Sequence, residues 1–337
     1  MMLRVFPYLF LSWLMVSCSN EFQVNAPHKP VPVVYCVLNP GDTVHYLRLE
    51  KSFNGAASAL DMAREYDSVF YPEATVAIER WENGQARERL SLERKIFTPR
   101  DSGIFLSEPN PLYVLESKLR ANSEYRLSIR VPGTSEEISS ITRVIDDFRI
   151  IRPEYYRTNL PFSSYDNHLD VEWVSARYTR IFHLRLRFHY LEVTGPDTLA
   201  RHADWNLANF VTDHDGGGQS MNHRILHRNF YVWLGNKIPA PEPGVTRLAD
   251  RKAIDLWFTV GGDELYTYLQ VHRPDDLIPR QGLVYSNIIN GIGLFSSRFE
   301  KGITGKSISY HSIDSLAVGI YTRHLGFADS RNGYYRF

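Results

Sequence analysis

The clearest chemistry-bearing pattern in this 337-residue chain is a row of four side chains that carry or take up positive charge, His183, Arg185, Arg187 and His189. They alternate with Phe182, Leu184, Leu186, Phe188 and Tyr190, a period of two that puts the cations on one face of a strand and the apolar residues on the other. Same-face residues stand about 6.5 to 7 Å apart, a spacing that suits an extended anionic ligand such as an acidic glycan. The alternative, and the more frequent arrangement, is a solvated sheet face whose cations pair with Asp and Glu on neighbouring strands. The row is therefore a possible ligand-binding face whose meaning depends on what lies beside it.

Other constellations fall short of a reaction. His223 and His227, four residues apart, would share a helix face and need a third ligand such as His214 or Asp213 to hold zinc, and Arg224 stands where a metalloprotease has its glutamate. Asp213-His214-Asp215-Gly216 resembles half a calcium loop without the later ligands. Gly302-Ile303-Thr304-Gly305-Lys306-Ser307 ends like a phosphate loop, but Glu300 occupies the place of its first glycine. There is no Gly-x-Ser-x-Gly elbow, and a carboxylate pair for glycoside hydrolysis is defined by a separation in space that spacing in sequence does not give. The expectation is no catalytic residue, no metal site and no cofactor.

One residue does carry predicted covalent chemistry. Arg4 precedes an apolar stretch from Val5 to Val16, and Ser17 stands before Cys18, the layout of a secretory signal that ends in a lipid-accepting cysteine. Met15 occupies the position where such signals usually carry Leu. An apolar run of about twelve residues, interrupted by Pro7, is too short to span a bilayer. Acyl chains on Cys18 would instead anchor the body to a leaflet, with Pro27, Pro30 and Pro32 marking an extended tether. Cys36, the second of two cysteines, then has no partner and reads as a buried thiol.

The elements that hold these residues are short strands. The 38 basic and 38 acidic side chains balance, which argues against nucleic acid as a partner. With 20 Tyr, 18 Phe and 6 Trp, the composition suits β-sheet cores. Val33–Leu38 and Thr43–Leu49 read as a hairpin around Asn39-Pro40-Gly41-Asp42. Ala56–Tyr66 has helix-forming composition, and Glu82-Asn83-Gly84-Gln85 reads as a second hairpin turn. Leu119, Tyr125, Leu127 and Ile129 resemble the tyrosine corner of immunoglobulin-like and fibronectin type III sandwiches. Leu169-Asp170-Val171-Glu172-Trp173 has the alternation and terminal Trp of a sandwich-core strand, and Glu264–His272 reads as a helix capped by Asp263.

The predicted fold is mostly β, with two sandwiches of immunoglobulin or fibronectin III type, a few short helices and a long irregular insertion. The predicted organisation is a signal peptide over 1–17, a tether over 18–32, a first sandwich over 33–145, a linker over 146–168 and a second β-rich domain over 169–337, with the insertion at 195–252.

A more specific likeness lies near the C terminus. The tyrosine-bearing segment Glu264–Leu269, followed by Asn287, Ile288, Gly291, Gly293 and Phe295, resembles a family of Bacteroidota lipoproteins of unassigned function, commonly encoded beside TonB-dependent receptors. The resemblance supplies no catalytic residue. It implies an outer-membrane lipoprotein that is an accessory or substrate-capture partner of a TonB-dependent transporter, for a glycan, a peptide or another small ligand. A structural or adhesive surface lipoprotein and a lipid-anchored hydrolase are the alternatives. Within the motif, Gly291 and Gly293 would permit a tight backbone path with Phe295 packed beneath.

Overall fold

The computed structural model describes residues 29–53, 58–98, 103, 106, 108–272 and 285–331; Cys18 and most of the predicted tether lie outside them. The elements in chain order are β1 (Pro32–Leu38), β2 (Val44–Lys51), α1 (Ala59–Met62), α2 (Tyr66–Val69), β3 (Thr75–Glu82), β4 (Gln85–Phe97), β5 (Asn110–Glu116), β6 (Glu124–Arg130) and β7 (Ile138–Arg143). There follow β8 (Arg149–Arg152), β9 (His168–Val174), β10 (Ile181–Thr194), β11 (Asp197–Val211), β12 (Ser220–Leu226), α3 (His227–Lys237), β13 (Thr246–Gly261), α4 (Asp263–Val271), β14 (Ile292–Lys306) and α5 (Tyr310–Val318).

The first half is a β-sandwich. β1 pairs with β2 and β2 with β5 in one layer, while β3 pairs with β6 and β6 with β7 in the other. β4 crosses between layers, pairing with β3 through Gln85–Leu92 and with β5 through Glu93–Phe97. Alternating residues of both layers, among them Val34, Leu47, Ile78, Leu127 and Ile129, form one buried core. The tyrosine corner is present, with the Arg120 amide donating to the buried Tyr125 hydroxyl at 2.8 Å. The two expected hairpin turns form as well: the Asp42 amide reaches the Asn39 carbonyl at 3.0 Å, and Asn83 and Gly84 adopt φ of 50° and 74°, the left-handed pair that matches strand twist. Between Ala56 and Tyr66 the described residues carry the one-turn helix α1 and, at Tyr66, the start of the one-turn α2.

In the second half, β11, β10, β13 and β14 form an antiparallel sheet that packs against the three-stranded sheet β12–β9–β8. Trp173, Phe182, Phe188, Phe230 and Phe258 fill the space between, together with residues of α3 and α5. The segment 146–168 is not a free linker: β8 pairs with β9, and Phe148, Leu160 and Phe162 are buried in this core. The stretch 195–252 is likewise more regular than its composition suggests, since it holds β11, β12, α3 and the start of β13. β11 escapes a periodicity test because it is an edge strand, mostly exposed or half-exposed on both faces, and so needs no apolar stripe.

One strand belongs to both halves. β14 runs parallel to β1 from Ile292 to Ser297 and antiparallel to β13 from Arg298 to Lys306. Ile288 and Phe295 consequently sit in the first core, so the division at residue 145 is not a division of the fold. The Asn287–Phe295 motif makes this junction. The Asn287 side chain accepts from the Phe295 amide at 2.9 Å and donates to the Phe295 carbonyl at 2.6 Å. Gly293, at φ +125°, lies so close to β1 that a Cβ would stand 1.9 Å from the Val34 carbonyl oxygen.

Candidate functional site

Two polar regions flank this junction. The first is the outer face of the β11–β10–β13–β14 sheet, where β10 presents His183, Arg185, Arg187 and His189 as the alternation requires. The registry places Asn209, Asn206 and Asp204 of β11 and Thr259, Trp257 and Asp255 of β13 beside them. Arg187 grips Asp204 with two bonds of 2.6 and 2.8 Å, and Arg185 approaches the same carboxylate at 3.7 Å. His189 bonds Asp255 at 2.8 Å, and His183 contacts Asn209 at 2.8 Å and Asn206 at 3.3 Å. The hydrogen bond from Arg187 holds the Asp204 carboxyl below the usual aspartate range. The row is thus a laterally paired face, and its charges do not add into a field for an anion.

The second region is a cleft of about 320 Å³ between the halves, lined by Arg143, Tyr178, Arg180, Asp215, Asp263 and Glu264. Arg143 ends β7 and the other five come from the second half, so the cleft exists only because β14 brings the halves together. Arg143 lies 3.8 Å from Asp215, and Arg180 lies 3.5 Å from Asp263. The Arg143 and Arg177 guanidiniums stand 5.2 and 5.4 Å from the Tyr178 ring centre, and Arg180 stands 5.3 Å from that of Tyr266, within cation–π range.

Tyr178 has φ of 65°, a left-handed conformation that costs a non-glycine residue about 1 kcal/mol or more. It is held there by a 2.7 Å bond from its amide to the Asp215 carbonyl. The glycine run explains how that carbonyl arrives: a Cβ on Gly217 would stand 2.8 Å from the backbone at Ala176 and Arg177. At the floor, Glu264 in the first turn of α4 accepts from Thr142 and Ser296, both at 3.2 Å. Burial nonetheless pushes its carboxyl above the usual glutamate range.

Sequence reasoning found the first face and missed the cleft, whose members are scattered from residue 143 to residue 264. Its only local signal was the Gly216-Gly217-Gly218 run. The remaining motifs dissolve into the fold. His223 lies on β12 and His227 opens α3, so the two do not share a helix face, and the buried His227 Nδ1 contacts the Ser164 carbonyl at 3.0 Å. Among the described residues no three His, Cys, Asp or Glu side chains converge as metal ligands. Gly302–Lys306 is strand rather than loop, with Lys306 donating to the Tyr155 carbonyl at 2.7 Å. The expected helix forms as α4, one residue earlier than expected: Asp263 is its first residue and Gly262 takes the capping position.

Fold and cleft define a mostly-β protein of two sandwiches joined through a shared strand. The chain belongs to the family described as Domain of unknown function (DUF4249), whose model matches residues 19–300. No curated protein matches it. Among solved structures it is similar to a two-domain fibronectin type III segment of chicken tenascin, at 10% identity over 69% of this chain and 91% of that one, with a TM-score of 0.17. It is also similar to the FN1–FN3 domains of chicken CNTN1, at 8% identity over 83% of this chain and 68% of that one, with a TM-score of 0.17.

Proposed function

We propose that this protein is an outer-membrane lipoprotein, anchored through acyl chains on Cys18, that captures a substrate for a TonB-dependent transporter and has no catalytic role of its own. The observation that carries the capture reading is the cleft, a concave site at a domain junction, the commonest setting for ligand pockets. Cations, carboxylates and aromatic rings from both halves converge there, and the backbone is strained at Tyr178. The lipid-signal pattern supports the anchor, and the Asn287–Phe295 resemblance supports the receptor context. A short tether would hold the body over its transporter and raise the local substrate concentration by effective molarity rather than by new contacts.

The test is mild-detergent extraction of the native protein through a C-terminal tag, with mass spectrometry of stoichiometric companions. A co-purifying TonB-dependent barrel is the expected result. Recovery of the protein alone would sink a stable transporter complex and move the reading to adhesion or hydrolysis. Cys18→Ser is expected to abolish membrane attachment, and a variant that stays membrane-bound would refute the lipid anchor.

A further inference from the structure

The outer face of the second sheet holds an aromatic ring that the paired cations do not explain. Trp257 on β13 stands between Arg185 of β10 and Gly302 of β14. A Cβ on Gly302 would lie 2.8, 3.0 and 3.0 Å from Cε3, Cδ2 and Cζ3 of the indole. Three adjacent ring carbons at nearly equal distance mean that the ring covers the glycine with its face, because an edge-on approach would separate those distances. One face of the indole is therefore seated on backbone. Trp257 is half-buried, so part of the ring remains accessible to solvent.

Hydrogen-bonding groups stand beside the ring. The Arg185 contact to Asp204, at 3.7 Å, is too long for a hydrogen bond, so its guanidinium keeps donors to offer. Asn206 stands directly across from Arg185, and Thr259 and Glu300 form the next rung. The platform continues into a cavity of about 400 Å³ beneath α4, whose lining includes His183, Thr259, Leu265, Leu269 and His272.

We propose that this face binds a neutral polysaccharide, with one sugar ring stacked on Trp257 and the chain running toward the cavity under α4. A pyranose presents C–H groups on its flat face and hydroxyls around its rim. A flat aromatic buries the first, and planar Arg, Asn and carboxylate groups bond the second. The lateral pairing of Arg187 with Asp204 and His189 with Asp255 leaves little net charge, which selects a neutral chain over an acidic one. A protein partner of ordinary affinity needs roughly 800 Å² per side with an apolar centre, whereas here a single ring lies among polar side chains. The inference goes beyond the capture reading, which is carried by the cleft: it assigns a second binding surface on the outer sheet face and rests on that reading only for the hand-over step.

The competing role for Trp257 is structural, an aromatic covering a strand glycine to support the sheet. Affinity electrophoresis of the full-length lipoprotein in mild detergent separates the two, in native gels cast with hydroxyethylcellulose, xylan, galactomannan or polygalacturonate. Because no transporter is present, failure here and failure of the co-purification are distinguishable. Retardation by at least one neutral polysaccharide is expected, weakened about tenfold by Trp257→Ala, a loss on the scale of one stacked ring. A smaller weakening is expected from Arg185→Ala at unchanged thermal stability, and this variant decides the question if Trp257→Ala does not fold. No retardation by a neutral polymer, retardation by polygalacturonate alone, or binding that survives the substitutions would overturn the proposal.

Discussion

The Asn287–Phe295 junction and the Trp257 face are opposite uses of similar residues. At the junction, an amide side chain and two glycines turn inward: Asn287 bonds both main-chain groups of Phe295, and Gly293 is pressed against β1. On the sheet face, a glycine and an amide lie beside an aromatic that is only half-buried. The motif that carries the family likeness is consumed by architecture, while the sheet face that carries the His183–His189 alternation keeps hydrogen-bonding capacity on Arg185. Sequence distinctiveness in this chain thus marks both the constrained junction and the polar face.

The largest effect of a single substitution is expected at Gly293. Gly293→Ala places a Cβ 1.9 Å from the Val34 oxygen and fixes an L side chain at φ +125°. The cost is expected to exceed about 4 kcal/mol, the exceptional end of single substitutions, and to appear as loss of folded protein in circular dichroism. Asn287→Ala leaves two main-chain groups of the buried Phe295 without their partner, at about 1–3 kcal/mol. Urea midpoints are expected to fall without a change in polysaccharide retardation.

The sheet face should respond far less. Asp204→Asn removes a half-exposed pair and is expected to lower stability by less than about 1 kcal/mol at neutral pH. Asp204 is held below its ordinary range in the folded state, so this contribution is full above the unfolded value of about 3.9 and is lost as pH falls through the folded value. Melting curves of protein and variant should therefore converge on acidification. Glu264→Gln tests the cleft with the opposite sign. The folded pKa is raised by burial, so the charged carboxylate opposes folding at neutral pH. The variant is expected to melt slightly higher there, with the gap closing as pH falls toward the ordinary value of about 4.3. A variant less stable at neutral pH would show that the bonds from Thr142 and Ser296 outweigh burial.

Much of the fold was legible because it is written in local periodicity. The alternation on β10, the tyrosine corner at Tyr125 and the turn at Asn83-Gly84 each specify their own geometry within a few residues. The β14 exchange was not legible, since its first half pairs with a strand that begins at Pro32 and parallel pairing leaves no hairpin turn to read. The segment around Phe148 and Phe162 was masked by its prolines, and β11 by its exposure. As for the sites, the basic row was visible but not its lateral partners, and Trp257 gave no sign of its orientation until Gly302 was found beneath it. The cleft was invisible because its residues meet only in three dimensions.

The shared strand also sets the order in which the molecule can be made. β1 emerges from synthesis long before Ile288, Phe295 and the parallel strand that completes its sheet. The first sandwich must therefore wait, with an open edge and an unfilled core, until β14 has been delivered. Contacts of such long sequence separation fold slowly and leave edges open to wrong pairing. A truncation anywhere before residue 297 thus disables the N-terminal half as surely as the C-terminal one.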